Sequence, residues 1–185
     1  MPIAVELTFD GKTADDIRKL WRLIDKQLLS HHHPDFESAP HITLGVYDDS
    51  AEGVLVKFAR QFAAQQGPYG LTFSSLGVFK GRDNTLFLAP RVDEELLHIH
   101  RLWHAVSRDV PLPHFSHYSH DQWEPHVTLG IDLNTKQFVR AFQAIADHPI
   151  PKHGTLMGVR LVKFSPTKVL ADIPLGETYT EITHN

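Results

Sequence analysis

The sequence has no cysteine, which excludes disulfides, thiolate nucleophiles and Cys-ligated zinc or iron–sulfur sites and fits a reducing, cytoplasmic setting. Its apolar runs are only a few residues long, so no transmembrane helix and no membrane partner are expected. The opening Met1-Pro2-Ile3-Ala4-Val5-Glu6 lacks both the basic region and the long apolar stretch of a secretory signal. A basic surplus is missing too: 18 Lys and Arg stand against 22 Asp and Glu, for a net charge of −4. Proteins that grip long nucleic acid neutralise phosphates with such a surplus, so duplex binding is disfavoured. A small phosphate-bearing substrate needs only a few local donors and stays open.

What remains is a chain of 185 residues, 42% hydrophobic and 22% charged, enough for one large domain or two small lobes sharing a cleft. Histidine occurs 14 times, well above its usual share, and it is the side chain that titrates near neutrality.

The chain repeats itself. Pro40-His41-Ile42-Thr43-Leu44-Gly45-Val46 recurs as Pro125-His126-Val127-Thr128-Leu129-Gly130-Ile131, with five of seven positions identical. The offset is 85 residues, and it also relates Leu71 to Leu156, Leu76 to Leu161 and Phe79 to Phe164. Duplication accounts for this better than chance.

Element order supports a duplication. Ile3 to Phe9 alternates as a half-buried strand should. Thr13 is placed to cap a helix running to about Leu29, with Ile17, Leu20, Trp21, Ile24 and Leu28 as its apolar stripe. Ser50 opens a second helix with Val54, Phe58 and Phe62 inward. Strands follow at Leu71 to Phe79 and Thr85 to Ala89, joined by a turn at Gly81-Arg82-Asp83-Asn84. The second half repeats the order: a helix at Asp93 to Arg108, a polar aromatic loop at Pro111 to Glu124, and the second motif strand. A helix at Asn134 to Ala146 and strands at Leu156 to Phe164 and Val169 to Ile173 complete it. The expected fold is α+β and bilobal, two duplicated α/β lobes with antiparallel-rich sheets related by a pseudo-two-fold around a central groove. No Gly/Ser linker divides the chain, so residues 1–185 are expected to form one domain. Its lobes would cover about 1–82 and 83–185, and strand exchange between them is compatible with the pattern.

Residues i and i+2 of a strand share a face. His41 and Thr43 therefore point opposite to Ile42, Leu44 and Val46, and His126 and Thr128 opposite to Val127, Leu129 and Ile131. A two-fold would gather two imidazoles and two hydroxyls around one small volume. That set suits phosphoryl transfer: one neutral imidazole removes a proton while a protonated one donates its own to the leaving oxygen. The hydroxyls can donate to the non-bridging oxygens, where charge builds up. No metal or other cofactor is required. A lone His-x-Thr is usually structural; the matched pair favours chemistry.

Two His-x-Thr-Leu copies in duplicated halves resemble the 2H phosphoesterase superfamily, which includes the 2′-5′ RNA ligase-like and cyclic phosphodiesterase families. The resemblance implies a bilobal α+β fold and metal-independent action on 2′,3′-cyclic phosphates, 2′-5′ phosphodiesters or related linkages of a nucleotide or short RNA end. It carries the catalytic set onto His41, Thr43, His126 and Thr128, all of which match. Joining ends through a 2′-5′ bond is the reverse of one hydrolytic step and would use the same residues.

Substrate contacts are read from position. Phe79 and Phe164 each lie 38 residues after a motif histidine, where a ring could stack on a base or simply fill the core. Lys80 and Arg82, with Lys163 and Lys168 in the second half, could neutralise phosphate or form a solvated rim. Tyr118 and Trp123 precede the second motif in a loop long enough to act as a lid, although Trp123 could equally pack against its lobe. A rival chemistry is a metal site at His114, His117 and His120 or at His100 and His104, but no His-Glu-x-x-His accompanies them. His31-His32-His33 is most simply a polar loop. Two alternatives to the phosphodiesterase stand: a non-catalytic nucleotide or RNA-end binding module of the same fold, and a His-ligated metallohydrolase. A monomer is expected, since each lobe already has a partner.

Overall fold

The computed structural model describes residues 1–28, 39–81, 84–111, 116–164 and 167–176. The turn residues Arg82 and Asp83, the run His31-His32-His33 and His114 lie outside the described residues. Among the described residues seven strands and four α-helices are arranged in the order β1 (Ile3–Phe9), α1 (Gly11–Leu28), β2 (His41–Tyr47), α2 (Glu52–Gln65), β3 (Tyr69–Phe79), β4 (Asn84–Pro90), α3 (Glu94–Val106), β5 (Val127–Leu133), α4 (Thr135–Ala146), β6 (His153–Lys163) and β7 (Lys168–Pro174). Short 3₁₀ turns occur at Asp49–Ala51 and Ser116–Tyr118. The expected class, α+β with antiparallel strands, is the one found. Among the described residues no helix is long and apolar enough to cross a membrane.

Hydrogen bonding runs through the sheet in the order β2-β1-β6-β3-β4-β5, with β7 also pairing β6, and every pair is antiparallel. The link between the two ends of this path is β3, which changes partner midway. Tyr69 to Thr72 pair with β6, and from Phe73 onward the strand pairs with β4.

Several local expectations shift. Thr13 does not cap α1. Asp10 does, accepting from the Thr13 amide at 2.9 Å and the Thr13 hydroxyl at 2.6 Å, and also from the Thr155 amide of β6 at 3.0 Å. A carboxylate three residues ahead outcompetes the threonine for the exposed amides of the first turn. Ser50 lies in a 3₁₀ turn, and α2 begins at Glu52. Its core stripe is Leu55, Ala59, Phe62 and Ala63, whereas Val54 is exposed, because the stripe starts one residue later than expected. The helices expected from Asp93 and Asn134 begin there, with these residues as their caps: Asp93 accepts from the Leu96 amide, and Asn134 forms a capping box with Gln137.

Every residue of β1 is buried, not only its apolar half. Ile3, Val5, Leu7 and Phe9 join the core, while Ala4 and Glu6 line a cavity. The strand lies between β2 and β6, so both of its backbone edges are paired. Helices cover the other face. Here α1 and α4 pack on each other and against β5, while α2 packs against α3, β6 and β7. Trp103 of α3 is fully buried, edge-on to Phe62 at 5.8 Å and to Tyr47 at 6.1 Å. Its indole N–H donates to the Tyr47 hydroxyl at 2.8 Å, which anchors the end of β2.

Candidate active site

The two motif segments share an irregularity. On β2, Thr43 pairs with Glu6 and Gly45 with Val5, so Leu44 is an extra residue. On β5, Thr128 pairs with Phe87 and Gly130 with Leu86, so Leu129 is extra in the same place. A one-residue bulge reverses the alternation beyond it. Val46 and Ile131, expected on the core face, therefore line the same cavity as the histidines. Tyr47 turns inward instead.

The threonines beside the bulges are held from across the chain. The Thr43 carbonyl accepts from the Trp123 indole at 2.9 Å, and the Thr128 carbonyl accepts from the Trp21 indole at 2.9 Å. Each motif is thus tied to a tryptophan outside its own half.

Both imidazoles are oriented in one way. His41 Nδ1 lies 2.7 Å from the Ala39 carbonyl, and His126 Nδ1 lies 2.7 Å from the Glu124 carbonyl. A carbonyl can only accept, so Nδ1 carries the hydrogen in each ring and Nε2 is left for chemistry. His41, Thr43, His126 and Thr128 all line one cavity of about 320 Å³, together with Glu6, Tyr118 and Phe164. A second, larger cavity of about 750 Å³ shares His126, Thr128, Tyr118 and Ile131 with it and extends to Phe79, Lys80, His117 and Gln122.

The surroundings of the two rings differ. His126 stands edge-on to Phe79 at 4.8 Å and tilted against Phe87 at 5.5 Å, while Phe79 and Phe87 stack at 4.3 Å. Burial pulls its pKa below the ordinary imidazole value, the Glu124 carbonyl opposes this, and His41 lowers it further. Phe87 has room there because it lies over Gly77, its cross-strand partner, where a Cβ would come within 2.3 Å of the ring. Beside His41 stands Glu6, which is only 1% exposed and places Oε1 3.5 Å from the imidazole Nε2. Its other oxygen is buried without a hydrogen-bond partner among the described residues. Burial pushes the Glu6 carboxyl up, with His41 and Arg160 pulling the other way.

Of the remaining sequence candidates, Phe79, Lys80, Tyr118 and Phe164 line the cavities. The Tyr118 hydroxyl bonds the Thr43 side chain. Trp123 lines neither cavity. Its ring is buried, stacked on His100 at 4.0 Å, and its polar atom is committed to Thr43, so the packing alternative describes it. Lys163 is engaged by Glu52 at 3.3 Å and Asp49 at 3.6 Å, and Lys168 lines neither cavity. Arg82 is outside the described residues. His100 and His104 bond each other through Nε2 at 3.0 Å, and burial drives His100 down to about 3. Among the described residues no group of three or more His, Asp or Glu is disposed to hold a metal. Glu6 was not anticipated, although it is the one charge in an otherwise apolar and threonine strand.

These features coincide with a family match. The model of the 2′-5′ RNA ligase superfamily matches residues 9–167, and the chain belongs to that family. No curated protein matches the sequence. Among solved structures the chain resembles TT0787 of Thermus thermophilus, at 13% identity and a TM-score of 0.65, covering 97% of this chain and 100% of that one. It also resembles E. coli LigT, at 16% identity and a TM-score of 0.60, covering 95% and 98%. Kluyveromyces marxianus Usb1 matches at 14% identity and a TM-score of 0.54, covering 94% and 98%. At such identities the likeness is one of fold.

Proposed function

We propose that this chain is a metal-independent phosphodiesterase acting on a 2′,3′-cyclic phosphate or a 2′-5′ phosphodiester of a nucleotide or short RNA end. The observation that carries this reading is the single cavity onto which both His-x-Thr pairs open. His41 and His126 act as the acid–base pair through Nε2, and Thr43 and Thr128 donate to the non-bridging oxygens. The larger cavity, with Phe79, Lys80 and Tyr118, takes the nucleoside. E. coli LigT has been solved with 3′-AMP and Kluyveromyces marxianus Usb1 with uridine monophosphate, which supports an occupant of that size.

The same reading treats residues 1–185 as one monomeric, bilobal domain that arose by duplication. Its support is the register between β3 and β6. Gly70 pairs with Thr155, 85 residues away, the same offset that separates the motifs. Adding that offset to Tyr69 and subtracting it from Leu156 converts the Tyr69–Leu156 pair into the Gly154–Leu71 pair, as a two-fold passing between the strands requires.

The test is a substrate panel in EDTA: a 2′,3′-cyclic mononucleotide, a 2′-5′-linked dinucleotide and a 3′-5′-linked control, with products identified by phosphorus NMR. Selective cleavage of the first or second is expected. Tight binding without turnover of any member would favour the binding module instead, and turnover abolished by the chelator would favour a metallohydrolase.

A further inference from the structure

The two histidines sit in equivalent strand registers but face different neighbours. Glu6 is paired with Thr43 across one bulge, and Phe87 occupies the matching place opposite Thr128 across the other. A carboxylate therefore stands beside one imidazole and an aromatic ring beside the other. We propose that Glu6 is a positioning residue that keeps a proton on the Glu6–His41 pair, making His41 the acid and His126 the base in the cleavage direction. This rests on the phosphodiesterase reading for its chemistry but not for its proton placement.

The surroundings of Glu6 point to His41 as its partner. From β6, Arg160 faces it in register, but that guanidinium is bound to Asp172 of β7 through Nε at 3.1 Å and Nη2 at 2.6 Å. Asp172 itself raises the Glu6 carboxyl, and Tyr118 senses the Glu6 charge from the 3₁₀ turn above. Among the described residues the nitrogen that lies within ion-pair reach of Glu6 is His41 Nε2, at 3.5 Å. A buried carboxyl held up by desolvation and drawn down by an adjacent imidazole meets both demands when the two hold one proton between them. His126 has Glu124 and His41 as its charged neighbours, with Phe79 and Phe87 against its ring, and it is disfavoured as a cation.

For a 2′,3′-cyclic phosphate the step balances as follows. Water gives a proton to His126 Nε2 and its oxygen bonds to phosphorus. The bond from phosphorus to one ribose oxygen breaks, and that oxygen takes the proton from His41 Nε2. His126 ends charged, the Glu6–His41 pair ends one proton poorer, and exchange with solvent restores both. In the reverse step, which closes the cyclic phosphate and releases water, the roles exchange.

Long-range ¹H–¹⁵N spectra of histidine-labelled protein read the proton without any substrate, with His41 and His126 assigned from His41→Asn and His126→Asn. In the wild type His126 is expected to lose its proton first as pH rises. Glu6→Gln should narrow the interval between the two by about one pH unit or more, and Glu6→Asp should restore part of it. In turnover, Glu6→Gln should lower kcat about tenfold, leave KM equal or lower because a negative neighbour of the phosphate is gone, and move the basic limb of the kcat profile to lower pH. His41 losing its proton first in the wild type, or Glu6→Gln leaving the interval unchanged, would overturn the proposal. The wild-type titration decides even where the variant does not fold. Failure of every substrate with the proton order intact would count against the phosphodiesterase reading and leave the Glu6 assignment standing.

Discussion

The indole N–H of Trp21 donates to the backbone carbonyl of Thr128 at 2.9 Å, across 107 residues of sequence. Trp123 does the same for Thr43. Each bond satisfies a carbonyl beside a bulge, where the regular ladder is interrupted, and each fixes a His-x-Thr strand against a residue from the other half of the chain. Replacing Trp21 with Phe keeps most of the ring but leaves that carbonyl without its indole partner. Urea unfolding should then show a loss of about 1–3 kcal/mol, and Trp123→Phe a loss of similar size. Unchanged midpoints in both variants would show that these bonds do not hold the strands.

Gly77 governs the aromatic wall beside His126. A methyl group there collides with the Phe87 ring, which in turn touches both Phe79 and His126. Gly77→Ala should therefore destabilise the fold by about 1–3 kcal/mol and perturb the His126 imidazole resonances more than those of His41. A perturbation confined to β3 would contradict the coupling.

How legible was this in the sequence? The pairing of His with Thr on each strand is a local, period-two property and could be read directly from Pro40 to Val46 and Pro125 to Ile131. The positions beyond the threonines were read on the wrong face, because the bulges at Leu44 and Leu129 reverse the faces of Val46 and Ile131, and the glycines that follow, Gly45 and Gly130, hint at a bulge without fixing its register. Trp21 was visible as part of a helical stripe, yet its bond to Thr128 depends on a contact between distant segments. Glu6 shows the same limit: an acid in an apolar strand stands out, but its placement beside His41 follows from the β1–β2 register alone.

His100 supplies a pH dependence of stability. Its pKa is held down to about 3 by burial first and by the neighbouring His104 second, against 6.5 when free. Between those values the unfolded chain takes up a proton that the folded chain refuses. The stabilising contribution is thus present above about 6.5 and is lost progressively as pH falls toward 3. Between pH 7 and pH 5 the loss from this group should be about 1–2 kcal/mol, read by chemical denaturation at each pH. His100→Gln should flatten that slope; an equally steep slope in the variant would assign it to other groups.

The central claim is that two imidazoles act on one phosphate without a metal, and the most direct measurement is kcat for a cleaved cyclic or 2′-5′-linked substrate in EDTA. The comparison is among wild type, His41→Ala, His126→Ala and the double variant. Each single replacement should reduce kcat by roughly 10²–10⁴-fold, and the double should be far less impaired than the product of the two, because the residues work as a unit. Near-normal turnover in either single variant, or activity that disappears with the chelator while both histidines are intact, would contradict the account.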